Sequence, residues 1–154
     1  MKTLDIFDWV TNNIEYPREI SDSLNGTIQS ISVTLETKQG DSKAQAVLLA
    51  SMLKSSGINS KILVDITCDH AYTVAYVNSL DEPIDEQVQI IVQRYEGVEV
   101  VNWIEYENGN WLILDTIGGI FPDDTFNMCQ SQTGTRYFID SCVNPIEDGL
   151  IYSL

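Results

Sequence analysis

The chain has 154 residues, of which 44 % are apolar and 9 % aromatic, enough to bury one core without a second domain. Twenty-three acidic residues against eight basic ones give a formal charge of −15, which repels a phosphate backbone and an anionic membrane surface alike. Nucleic acid is therefore excluded as an expected partner, and the acidity is read first as a solubilising surface.

Residues 1–10 carry Asp5 and Asp8 among their apolar positions and hold no continuous apolar run, unlike a signal peptide. No stretch approaches the roughly 20 apolar residues of a bilayer span, so membrane insertion is not expected. A cytoplasmic chain is the expectation, although a domain cut from a larger exported or anchored protein has the same pattern. Cys68, Cys129 and Cys142 are odd in number and widely spaced, which suggests neither a disulfide framework nor a zinc site.

Leu4, Phe7, Val10 and Ile14 recur at helical spacing after Thr3, a suitable N-cap, and Pro17 stops the pattern. A less regular helical stretch, 21–31, is interrupted at Asn25 and Gly26, and Ser32 is placed to cap a short helix over 33–37. Gly40 and Asp41 introduce a helix over 42–56 that is apolar around much of its circumference and belongs in the interior, with Gly57 as its C′ residue. The period then changes to two: a β-branched run at 61–66, and alternation from His70 through Val77. Helical spacing returns at Ile84, Val88, Ile91 and Tyr95, behind Pro83. Strands are expected at 98–106 and 110–115, joined by Glu107, Asn108 and Gly109. Gly118, Gly119 and Pro122 mark a loop, and strand-like pieces follow at 136–139 and 150–152. Helices first and an antiparallel sheet afterwards predict an α+β fold in a single domain over 1–154.

Three stations along this pattern carry chemistry. The stretch from Gly40-Asp41-Ser42 to Lys54-Ser55-Ser56-Gly57-Ile58 resembles the signature of the transglutaminase-like family, in which Gly-Asp-Cys opens a buried helix ending in a basic residue, two small residues and Gly-Ile. His70-Ala71-Tyr72 resembles the family's His-Ala-Trp strand, and Trp111 to Asp115-Thr116 its Trp-x-x-x-Asp-Pro-Thr. The resemblance covers a core of about 5–123 and leaves 124–154 as a C-terminal extension. It implies a papain-like core in which the nucleophile helix packs on an antiparallel sheet.

The resemblance also implies thiol acyl transfer, meaning amide or isopeptide hydrolysis or transamidation of a peptide or protein substrate. A thiol at a helix N-terminus is acidified by the macrodipole and by a facing imidazolium. The histidine serves as base and then acid, the aspartate fixes its tautomer, and no metal or organic cofactor is required. Carried over, the nucleophile position is Ser42, the base His70 and the orienting carboxylate Asp115. A serine hydroxyl ionises far above the roughly 8.5 of a cysteine thiol, so the thiolate–imidazolium pair cannot form. Ser42 is consequently read as a substitution that leaves an enzyme inactive, as a natural loss giving a peptide-binding module, or, third, as a working serine nucleophile. Tyr72 keeps an aromatic body where the family has Trp, and Thr116-Ile117 replaces Pro-Thr.

Other readings stand beside these. His70, the one histidine, is by itself equally a packed strand residue, and Asp115 with Thr116 equally a strand-ending turn. Tyr72, Trp103 and Trp111 are candidate substrate-groove residues, with core packing the plainer role for the two tryptophans. Cys68 reads as a small buried hydrophobe. Asp81 with Glu82 and Asp123 with Asp124 lack calcium-loop spacing and read as solvated.

Overall fold

In the computed structural model, which describes residues 1–17, 28–65, 70–95, 103–117 and 149–152 and leaves the side chains of Asp65, His70 and 149–152 undescribed, the opening periodicity becomes helix α1, Lys2–Asn13. Leu4, Phe7 and Val10 are fully buried on one face, as their spacing requires. The helix begins ahead of Thr3: the Met1 carbonyl accepts from the N–H groups of Leu4 and Asp5, both at 3.1 Å, so Thr3 falls inside the first turn. Helix α2, Ile31–Thr37, is capped by Ser30 rather than Ser32, the Ser30 hydroxyl accepting from Val33 N–H at 3.3 Å. Most of the expected helical stretch 21–31 lies outside the described residues.

Helix α3, Ser42–Ser55, is the interior helix, with Ala44, Ala46, Leu48, Leu49, Ala50 and Leu53 all buried. It ends in a Schellman motif. Gly57 takes φ +83°, its N–H reaches the Lys54 carbonyl at 3.0 Å, and Ile58 N–H reaches that of Leu53 at 2.9 Å. The strands β1 (Ser60–Asp65) and β2 (His70–Ser79) follow, then helix α4 (Asp85–Arg94), strands β3 (Trp103–Tyr106) and β4 (Gly109–Leu114), and β5 (Gly149–Tyr152). The sheet order is β3-β4-β2-β1-β5, every pair antiparallel. The fold is α+β, as the period change predicts. The expected strand 136–139 and the loop at Gly118, Gly119 and Pro122 lie outside the described residues, as do Cys68, Cys129 and Cys142.

Alternation divides the sheet. Ala75, Leu112, Leu114 and Trp103 face the helices and join Leu4, Phe7, Leu48, Leu49, Leu53, Val88 and Ile91 in one core. Leu63, Tyr72, Val74, Ile104, Trp111 and Ile113 form a second cluster on the other face. Glu107 and Asn108, at φ 46° and 58°, make a two-residue hairpin turn of the primed kind, and Gly109 is already the first residue of β4. Gly109 is required there by space: a Cβ would lie 2.6 Å from Cε2 of Tyr76.

Helices α1 and α4 are joined by a charged network. Arg94 binds Asp5 and Asp8, each at 2.7 Å, and the Tyr95 hydroxyl donates to Oδ1 of Asp8 at 2.5 Å. Burial first, and then the Asp8 carboxylate, push the Tyr95 phenol well above the ordinary tyrosine range. The folded state thus holds this proton more tightly than the unfolded chain. The associated stability is complete below the unfolded value near 10 and declines as pH rises through the folded value. The stability advantage of the parent protein over Tyr95→Phe is expected to shrink above about pH 10 in urea titrations across pH 8–11. An advantage that stays constant over that range would contradict it.

Candidate active site

The approach to α3 is fixed before the helix begins. Glu15 N–H donates to the Lys38 carbonyl at 2.9 Å and Gly40 N–H returns to that of Glu15 at 3.0 Å, so the end of α1 holds the segment entering α3. Gly40 has no room for a side chain, since a Cβ would meet that of Ala44 at 2.9 Å, and its carbonyl accepts from the buried Gln45 side chain at 2.9 Å. Asp41 is the N-cap, Oδ1 accepting from Ala44 N–H at 2.9 Å. Its other oxygen pairs with the Lys43 ammonium at 3.1 Å, which offsets the cap's negative charge at the helix start.

Ser42 is the first residue of α3 and is 1 % exposed. Its hydroxyl accepts from the N–H of Ala71 at 3.3 Å. The Thr73 hydroxyl donates to the Ala46 carbonyl at 2.9 Å and that of Ser60 to the Ala50 carbonyl at 2.8 Å. Small residues make these contacts possible, because Ala46 and Ala50 of the helix meet Ala71 of the strand, beside Ile62, in the packing between helix and sheet. Neither Thr73 nor Ser60 was expected at the site. The available signal was a hydroxyl between Ala71 and Ala75 on the helix-facing side of a strand.

His70 is the first residue of β2 and pairs with Asp65; its side chain is outside the described part of the structure. The Ser42 hydroxyl therefore lies within hydrogen-bond reach of the peptide unit joining His70 to Ala71. Asp115 follows Leu114, the residue paired with Thr73, so it sits at the same end of the sheet as the start of β2. It is 4 % exposed, and Oδ1 accepts from Ile117 N–H at 3.0 Å in a turn of the Asx kind.

The aromatic candidates separate. Tyr72 and Trp111 share the second cluster, where Trp111 meets Tyr76 edge-on at 5.5 Å and donates to the Tyr106 carbonyl at 2.8 Å. Trp103 pairs with Leu112 and packs in the helix-side core, on the opposite face. A groove lined by both tryptophans is thus not formed. Glu82 accepts from the backbone and hydroxyl of Ser79, and Asp123 and Asp124 lie outside the described residues. Among the described residues no group of three or more His, Cys, Asp or Glu side chains is placed to hold a metal ion. No helix among them is long and apolar enough to cross a membrane.

With the helix start, the strand start and the buried aspartate in place, the family can be read directly: the profile of the Transglutaminase-like superfamily matches residues 1–116. The chain belongs to the transglutaminase-like superfamily. That match spans α1 to the end of β4 and includes all three stations. A crystal structure of a candidate cysteine protease from Cytophaga hutchinsonii is similar at 25 % identity and a TM-score of 0.39, over 49 % of this chain and 27 % of that one. The match thus spans about a quarter of that protein's length, and the likeness is too partial to assign chemistry. A search of curated proteins gives no match.

Proposed function

We propose that this domain is a thiol acyl-transfer scaffold with its nucleophile position held by Ser42, its base at His70 and its orienting carboxylate at Asp115. As it stands it does not turn over. The observation that carries the reading is the contact of the Ser42 hydroxyl, in the first turn of α3, with the peptide N–H that follows His70. A thiol in that place would give its proton to the imidazole and attack an amide carbon. The imidazolium would then protonate the departing amine, and water or a second amine would take the acyl group. The hydroxyl of Ser42 is too weak an acid for the first step. Peptide or protein amides and isopeptides are the substrate class.

One observation favours a second reading, a natural peptide-binding module. The Ser42 hydroxyl is buried and already accepts a bond within the fold, so it has a structural use of its own. The test is turnover of glutamine-containing and isopeptide substrates by Ser42→Cys beside the parent protein. Release of ammonia or amine by the variant alone, by roughly 10²-fold or more over background, is expected for the acyl-transfer scaffold. Peptide binding without turnover by either protein would favour the binding module.

A further inference from the structure

Three acceptors on one stripe of α3, the Ser42 hydroxyl and the carbonyls of Ala46 and Ala50, are spaced four residues apart. Their donors are equally regular. Ala71 N–H and the Thr73 hydroxyl are two residues apart on β2, and Ser60 stands opposite Ala75, two residues further on. Four residues of helix rise about 6 Å and two of strand about 6.7 Å, so the two spacings stay in step over three contacts. We propose that Thr73 is a positioning residue that sets the register of α3 on β2 and so holds the residue-42 side chain against the Ala71 amide beside His70. This deepens the acyl-transfer reading and rests on it for its catalytic meaning, while the register itself is measurable without any chemistry.

Thr73 is the middle contact, fully buried, one helical turn from Ser42. Ala46 is already part of the helix ladder, so the Thr73 hydroxyl adds a bond that ties helix to sheet without being needed to form the helix. Valine in its place keeps the volume and shape and removes the donor. The helix then keeps its apolar packing, which is non-directional, and loses the bond that fixes its position along the strand. Sites of this kind lose on the order of 10²-fold in rate for a displacement of about 1 Å.

The direct test is amide hydrogen exchange in the protein as it stands, reading Ala71 relative to Val74 so that global unfolding cancels. Thr73→Val is expected to speed Ala71 exchange about tenfold relative to Val74, and Thr73→Ser, which restores the hydroxyl, to hold it within about twofold of the parent. Unchanged relative exchange in Thr73→Val would overturn the proposal. Should that variant not fold, Thr73→Ala removes the same hydroxyl with a smaller side chain, and an unchanged Ala71 there overturns it equally. In a Ser42→Cys background, Thr73→Val should also raise the thiol pKa by about one unit, with Thr73→Ser restoring it. A Ser42→Cys thiol that is ordinary even with Thr73 intact would fault the acyl-transfer reading alone, leaving the exchange result to decide the register.

Discussion

Cysteine introduced at position 42 is expected to titrate about two units below the roughly 8.5 of a free thiol, and His70→Ala added to it should return one to two of those units. Two units correspond to about 2.7 kcal/mol favouring the thiolate. The start of α3 supplies on the order of 1 kcal/mol through its macrodipole. The Ala71 N–H adds a charge-assisted bond worth about 1.5–3 kcal/mol. Burial at 1 % exposure acts the other way, so the imidazolium decides whether the sum stays favourable. Asp41 would oppose the thiolate too, but its pairing with Lys43 at 3.1 Å offsets that charge. Thiolate absorbance near 240 nm is the appropriate measurement, because it needs no reagent to reach a buried atom. A thiol that titrates near 8.5 and ignores His70 would mean that the site is not preorganised, and would favour the binding module.

The largest loss of stability is expected from Phe7→Ala. Phe7 is fully buried and joins α1 to the same cluster as Leu48, Leu49 and Leu53 of α3 and Leu112 and Leu114 of β4. Its removal takes away the transfer free energy of the ring and leaves a cavity that three packed elements cannot close, at a cost of about 3–5 kcal/mol. For a chain of this size that is a fall of roughly 10 °C in Tm, read by circular dichroism. A fall of only a degree or two would show that α1 contributes little to the core. Because the end of α1 also braces the segment entering α3 through Glu15, the same variant tests whether the approach to Ser42 survives a loosened α1.

Helix α3 was legible in the sequence because its apolar face is wide and Gly57 supplies an inexpensive left-handed residue for a Schellman stop. The change to period two marked the strands, and the three motif stations singled out Ser42, His70 and Asp115 as the proposed candidate site. What the sequence could not convey was register. Reading Glu107, Asn108 and Gly109 all as turn places Trp103 and Trp111 on one face. The actual two-residue turn pairs Trp103 with Leu112 and Ile104 with Trp111, and this shift of one residue sends the two rings to opposite faces. The role of Gly109 was hidden for a related reason, since its constraint is the Tyr76 ring across the ladder rather than its own φ. The cap of α2 was misplaced by two residues because Ser30 and Ser32 are chemically equivalent, and only the geometry of the chain before Ile31 distinguishes them.

Strand β5 joins the sheet from the far end of the chain, beyond the residues that match the family profile, and it pairs along β1 from Ile62 to Asp65. During synthesis the outer hydrogen-bonding edge of β1 therefore waits until Gly149–Tyr152 has emerged before its partner exists. An open edge beside Leu63 and Ile62 is a template for pairing with another nascent chain, and closing so long a loop is slow. A chain shortened to the profile-matched portion would keep all three stations and lose the strand that shields β1. It would carry that exposed edge permanently, and self-association rather than loss of the helices would be its characteristic failure.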